Sequence, residues 1–257
     1  MPEWFAIAAT AAYGLVLGSF LNVVIHRLPR GMSLLRPRSH CPACGAPVCW
    51  YDNVPVLSFL ALGGRCRACR AAISPRYPLV ELATGILLAL VVVRFGVTLV
   101  GVEAAVLVLL LVPLALIDLE HHLLPDALTL PGIVAGAAFS AAGGLVSWRT
   151  ALLGAVVGGA VPYLVIVVYR LVRGVEGMGL GDVKLLAMAG AFLGWQGVLL
   201  TLGIGSCVGA AVGLALIACG RAGRDTELPF GVFLSAAALV VLFFAPELLH
   251  LLGWVRA

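Results

Sequence analysis

Apolar residues run through the chain in long blocks, separated by short polar stretches that hold nearly all of its charge. Eight blocks can be drawn, at 4–25, 78–93, 98–117, 127–146, 151–169, 185–199, 202–218 and 230–252. Each is near the ~20 residues that a helix needs to cross a bilayer core. The stretch 183–220 is almost continuous, and its 38 residues favour two spans with a break near Gly194-Trp195-Gln196. Small residues in the later blocks, such as Gly154, Gly158, Gly205 and Gly209, suit close helix packing in lipid. The pattern predicts an all-α polytopic membrane protein.

Composition agrees. The chain is 62% hydrophobic and 11% charged, against ~25% charged in soluble domains, and its mean hydropathy is +1.13. The first block follows Met1-Pro2-Glu3-Trp4, with an acid where a secretory signal carries basic residues, and it is too long for a signal core. It is expected to be a retained first span. With the N-terminus outside, segments 27–77, 119–126, 170–184 and 220–229 face the cytoplasm and hold 13 of the 16 basic residues, leaving Arg94, Arg149 and Arg256 outside. That bias follows the positive-inside rule. No basic run interleaved with aromatics points to nucleic acid.

The only sizeable polar segment is 27–77, too small for a large core of its own. It carries Cys41-Pro42-Ala43-Cys44 and Cys66-Arg67-Ala68-Cys69, two C-x-x-C knuckles 21 residues apart. This spacing matches a tetrahedral zinc site, and the cytoplasmic placement argues against disulfides. Four thiolates leave no open position for water, so the expected zinc is structural, held by Cys41, Cys44, Cys66 and Cys69. Cys207 and Cys219 lie in apolar blocks and read as small buried hydrophobes. The expected organisation is a first transmembrane helix at 1–26, a cytoplasmic zinc-binding domain at 27–77 and a transmembrane domain at 78–257.

Only 12 acidic residues occur, yet two clusters of them border apolar blocks on the same predicted face. One is Ile117-Asp118-Leu119-Glu120-His121-His122-Leu123-Leu124-Pro125-Asp126; the other is Gly177-Met178-Gly179-Leu180-Gly181-Asp182. An acid at a bilayer boundary is costly and needs a partner or a function. Asp126 opens a block after Pro125, so helix N-capping accounts for it; Glu120, His121 and His122 fit a solvated connection. Asp118 closes its block with no Lys or Arg nearby in sequence, leaving a distant ion pair or chemistry. Asp182 has an N-cap reading, with Lys184 as a headgroup anchor, but three alternating glycines exceed what capping needs. Two such carboxyls sharing one proton form the water-activating pair of an aspartyl protease. Glu81 either pairs with Arg76 or lines a polar pocket.

These residues, with Gly18-Ser19-Phe20-Leu21-Asn22, Trp50-Tyr51-Asp52-Asn53-Val54-Pro55, Arg76-Tyr77-Pro78 and Leu228-Pro229-Phe230-Gly231, make the chain resemble the bacterial type IV prepilin peptidases nearly end to end. The resemblance implies that Asp118 and Asp182 are the catalytic aspartates of an inner-membrane enzyme working at the cytoplasmic face. It implies removal of a basic leader from prepilins or pseudopilins after a glycine, then methylation of the new N-terminus from S-adenosylmethionine. The leader is expected to meet an acidic patch of Glu120, Asp126 and Glu176, while the substrate's apolar helix arrives from the surrounding lipids. The competing class is a non-enzymatic transporter or assembly scaffold. It accounts for Asp118 and Glu81, but not for a glycine-rich motif and a zinc element together.

Overall fold

The computed structural model describes residues 2–174, 178–221, 223 and 228–254. Among the described residues helices are the only extended regular elements, joined by turns and irregular loops that include two isolated β-bridges, His40–Pro47 and Arg65–Ala72. The chain forms two compact units, Met1–Val97 and Thr98–Ala257.

In the first unit, α1 (Glu3–Arg27) packs on α3 (Arg76–Phe95), with the short α2 (Leu57–Ala61) in the segment between them. Small residues set the approach of the two long helices. A Cβ at Gly14 would lie 2.8 Å from the Gly85 Cα, and one at Gly18 would lie 2.7 Å from the Glu81 Cα. Polar ties sit in this seam too: the Asn22 amide donates to the Tyr77 carbonyl at 3.1 Å, and Ser19 hydrogen-bonds Glu81. At the end of α1 the buried Arg27 donates to the carbonyls of Ser33 (2.9 Å) and Pro37 (2.7 Å), fixing the path of the chain as it leaves the helix. Glu81 accepts the Val56 N–H at 2.8 Å and so holds the residue before α2, whose φ is +59°.

The second unit contains α4 (Leu99–His121), α5 (Asp126–Ala141), α6 (Trp148–Arg173), α7 (Leu180–Ala218) and α8 (Phe230–Leu251). Leu107, Val108, Leu111, Leu114 and Ile117 of α4 are fully buried, so this helix runs through the core. Among the described residues six helices are long and apolar enough to cross a membrane, and α5, at 16 residues, is a shorter apolar one. It stops before the expected 146 because Gly143 takes φ +89°, a left-handed turn that ends the helix. The 39-residue α7 is broken at Gly194 (φ 73°, ψ 177°), within the expected Gly194-Trp195-Gln196. Trp195–Leu199 therefore belong to the later half, not the earlier one as drawn from sequence. With α7 divided there and the shorter α5 included, the eight expected blocks correspond to α1 and α3 to α8.

Cys207 and Cys219 are exposed on the protein surface, contrary to the expectation of burial. Lipid tails are as apolar as a protein core, so hydrophobicity alone does not decide which face of a membrane helix turns inward.

Candidate active site and metal centre

The site in the second unit is built from three helix ends. Asp118 lies in the last turn of α4, which closes on a left-handed His122 (φ 50°) whose N–H bonds the Asp118 carbonyl at 2.9 Å. Asp182 lies in the first turn of α7, where Gly179 is the N-cap and accepts the Asp182 N–H at 3.2 Å. The third end is that of α8, with Pro229 at its N-cap and no side chain capping it locally. Helix starts leave main-chain N–H groups without partners. Here the Val232 N–H finds one in the Asp118 Oδ2, at 3.2 Å. Asp118 thus caps a helix more than a hundred residues away, and the partial positive charge of that helix end faces its carboxylate.

Both aspartates are buried, Asp118 at 6% and Asp182 at 7% exposure. They line one cavity of about 220 Å³ together with His122, Leu124, Asp126 and Lys184. Close contacts leave its walls no slack. A Cβ at Gly231 would lie 2.9 Å from the Asp118 Oδ2, and one at Gly181 would lie 3.0 Å from the Leu124 Cβ. The cavity has room for several waters, at about 30 Å³ each. Two buried carboxyls on one cavity that admits water are the geometry needed for general acid–base attack by water.

Three sequence-based readings change here. Asp126 is the first residue of α5 and not its cap; Pro125 holds that position and no side chain caps it. The Asp126 carboxylate instead takes both of its contacts from Lys184 Nζ, at 2.6 and 2.8 Å. Lys184 is therefore an ion-pair partner at the cavity rather than a free headgroup anchor. His122 is exposed in the connection after α4, as expected, and it lines the cavity as well, so the reading is extended there. Of the expected leader-binding patch, Asp126 already has a cationic partner, Glu120 lies in α4, and Glu176 lies outside the described residues, as does Gly177 of the glycine motif.

Glu103 escaped the sequence reading altogether. It is fully buried near the start of α4 and accepts the Leu145 N–H at 2.5 Å, holding the turn between α5 and α6. Val232 was equally hidden, and the partners of Lys184 and Gly231 were too, since each meets its partner across a long stretch of sequence.

The candidate metal centre lies in the first unit. The Sγ atoms of Cys41, Cys44, Cys66 and Cys69 all fall within 4.8 Å of one another, and Cys41 and Cys69 are 3.8 Å apart. A tetrahedron with metal–sulfur bonds of about 2.3 Å has edges of roughly 3.8 Å, so the four thiols fit one ion. Both knuckles share a backbone design. The Cys41 carbonyl accepts the N–H of Gly45 at 2.8 Å, and the Cys66 carbonyl accepts that of Arg70 at 3.0 Å, with the residue after each knuckle at positive φ (72° and 61°). Main-chain N–H groups of Cys44 and Ala43 pull the Cys41 thiol down to about 6. At Cys69 the Ala71 N–H acts downward, but the Cys44 thiol, burial and the remaining thiols outweigh it and the group rises to about 11. Thiols this crowded ionise together only around a cation. Cys49 is exposed and stands apart from the cluster. Arg67, inside the second knuckle, clamps Asp52 through two bonds of 2.8 and 2.6 Å, tying the knuckle to the turn Trp50–Asn53.

Comparison with known proteins covers nearly the whole chain. A profile of the bacterial peptidase A24 N-terminal domain matches residues 12–95, and one of the type IV leader peptidase family matches residues 105–214. A prepilin leader peptidase/N-methyltransferase of Myxococcus xanthus is 52% identical over 215 residues, which cover 83% of this chain and 64% of that relative. Proteins of the same name from Burkholderia pseudomallei and Pseudomonas aeruginosa are each 40% identical. Their matches cover 98% and 94% of this chain, and 90% and 91% of the relatives. No solved structure matches.

Proposed function

Because the chain belongs to the type IV leader peptidase family, we propose that it is a membrane-embedded aspartyl endopeptidase that removes the basic leader from prepilins or pseudopilins and methylates the new N-terminus. The observation that carries this reading is the pair of buried carboxyls, Asp118 and Asp182, on one cavity. Nothing about a transporter or scaffold requires them to share one small cavity.

In the proposed reaction one carboxyl of the pair is ionised and the other protonated. Asp118, held by the Val232 N–H and the α8 terminus, is suited to take a proton from the attacking water. Asp182 donates its hydrogen bond to the oxyanion that forms as water adds to the scissile carbonyl. Collapse of the tetrahedral intermediate breaks the C–N bond, and the proton gained by Asp118 passes to the leaving amine. The products are the leader's carboxylate and a free N-terminal amine on the mature helix. No covalent enzyme intermediate forms. His122 and Lys184 shape the polar wall of the cavity, and Leu124 and Gly231 keep it narrow.

The distribution of basic residues supports an inner-membrane location with this cavity at the cytoplasmic face, where a basic leader meets an apolar helix. Residues 27–77 are then a cytoplasmic zinc-binding domain. Cys41, Cys44, Cys66 and Cys69 hold one structural Zn²⁺, and the ion supplies the cross-link that so small a segment needs. The methyl donor is S-adenosylmethionine.

The test is to incubate the purified protein with a full-length prepilin in detergent and read the products by mass. Loss of the leader, with a further 14 Da on the mature chain only when S-adenosylmethionine is supplied, is expected from ordinary methylation chemistry. An intact prepilin, or cleavage that persists fully in Asp118→Asn, would overturn the reading.

A further inference from the structure

The first unit holds a second and larger cavity, of about 810 Å³. The cavity that contains the aspartates has about 220 Å³, below the ~300–1,000 Å³ typical of sites for drug-sized ligands, whereas this one lies within that range. One wall is a face of α1, with Val16, Phe20 and Val23; the other comes from the loops after it, with Arg38, Trp50 and Asn53. The loop wall is braced at several points. Arg27 ties down Ser33 and Pro37, Val48 pairs with Ser39 across the first cysteine knuckle at 2.9 Å, and the Ser58 hydroxyl holds the Tyr51 carbonyl at 2.9 Å. A cavity with a mostly apolar lining, a few placed polar groups and a fixed frame has the make-up of a small-molecule site.

We propose that this cavity binds the methyl donor, S-adenosylmethionine, and is where the mature N-terminal amine is methylated. The inference rests on the functional reading above, which requires a second substrate, and it assigns that substrate a place. The donor's chemistry matches the lining. Phe20 and Trp50 offer aromatic faces to an adenine ring and to a sulfonium cation. Arg38 provides a guanidinium for the donor's carboxylate, and Asn53 provides an amide for its hydroxyls. The α1 face is apolar and lies in a membrane-crossing helix, so it is suited to the first, apolar residue of the accepting helix. In the transfer the amine nitrogen forms a bond to the methyl carbon while the carbon–sulfur bond breaks. The bonding pair returns to sulfur, giving S-adenosylhomocysteine, and the extra proton on nitrogen leaves to water.

The experiment uses the full-length protein in detergent with tritiated S-adenosylmethionine as the probe, and binding is read by equilibrium dialysis. Trp50→Ala and Arg38→Ala are each expected to weaken donor binding by about tenfold. Methylation of a pre-cleaved pilin should fall in parallel, Trp50→Phe should recover most of the binding, and leader removal should continue. A photoreactive adenosyl analogue should label peptides from 16–23 and 34–55 in the unmutated protein, which guards against variants that misfold. Unchanged donor affinity in both variants, or labelling confined to other segments, overturns the proposal. So does a phospholipid that co-purifies in the cavity and is not displaced by the donor. If the unmutated protein cleaves prepilin but binds no donor, this proposal fails alone; if it binds donor but never cleaves, the peptidase reading fails instead.

Discussion

Gly231→Ala tests whether α8 positions the Asp118 carboxylate. The new Cβ would lie 2.9 Å from the Asp118 Oδ2 and 3.0 Å from the Leu124 Cδ1. Both contacts are closer than van der Waals packing allows, so the carboxylate and the leucine must move by a few tenths of an ångström. Overpacking of this kind costs about 1–3 kcal/mol. The displaced oxygen also loses the Val232 N–H, at 3.2 Å, and a hydrogen bond to a charged group is worth about 1.5–3 kcal/mol. If between half and all of that loss is felt in the transition state, kcat falls by roughly 4–160-fold, at 1.36 kcal/mol per decade. The assay is steady-state cleavage of a prepilin, with kcat and KM separated. The account expects kcat to carry most of the loss, because the peptide contacts along the rest of the substrate are untouched. Gly203→Ala is the control, since no atom lies within 4 Å of a Cβ built there. Wild-type kcat in Gly231→Ala, with the variant folded, would refute the positioning argument.

Purified protein should contain about one zinc per chain, and chelation should make 28–75 sensitive to protease before the helices unfold; two disulfides and no metal in fresh protein would contradict this. Glu103→Gln should be tolerated because it still accepts the Leu145 N–H, whereas Glu103→Leu orphans that donor and should cost about 1–3 kcal/mol, read as a lowered thermal midpoint. The hydrogen bond from Arg67, which outweighs burial, holds Asp52 below the ordinary carboxylate range. The pair's contribution is therefore present above the unfolded-state pKa and is lost as pH falls through the lowered folded value. Hydrogen exchange across 50–69 should rise in that acidic window, and Asp52→Asn should abolish the pH dependence.

The catalytic candidates were legible because acid is scarce in this chain and both aspartates stand at the edge of apolar blocks. The cysteine quartet was legible because a metal site built from knuckles has a fixed local spacing. The break in α7 was foreshadowed by Gly194, whose φ of 73° a residue with a side chain rarely adopts. What stayed hidden was long-range. Asp118 meets the Val232 N–H across 114 positions and Lys184 meets Asp126 across 58, and neither contact leaves a periodic trace. Local chemistry even misdirected the reading at Asp126, where a plausible helix cap is in fact an ion pair. His122 is a linker residue, as read, but its place beside the cavity comes from a left-handed backbone at the helix end, which sequence does not announce.

The central claim is that Asp118 and Asp182 act as one unit on one water. The most direct measurement compares prepilin cleavage by Asp118→Asn, Asp182→Asn and the double variant under single-turnover conditions, with insertion and folding verified for each. Groups that share a proton are not additive. The account predicts a loss of several orders of magnitude in each single variant and no substantial further loss in the double. Substantial activity in either single variant, or losses that multiply in the double, would mean that the two carboxyls work separately and would contradict the account.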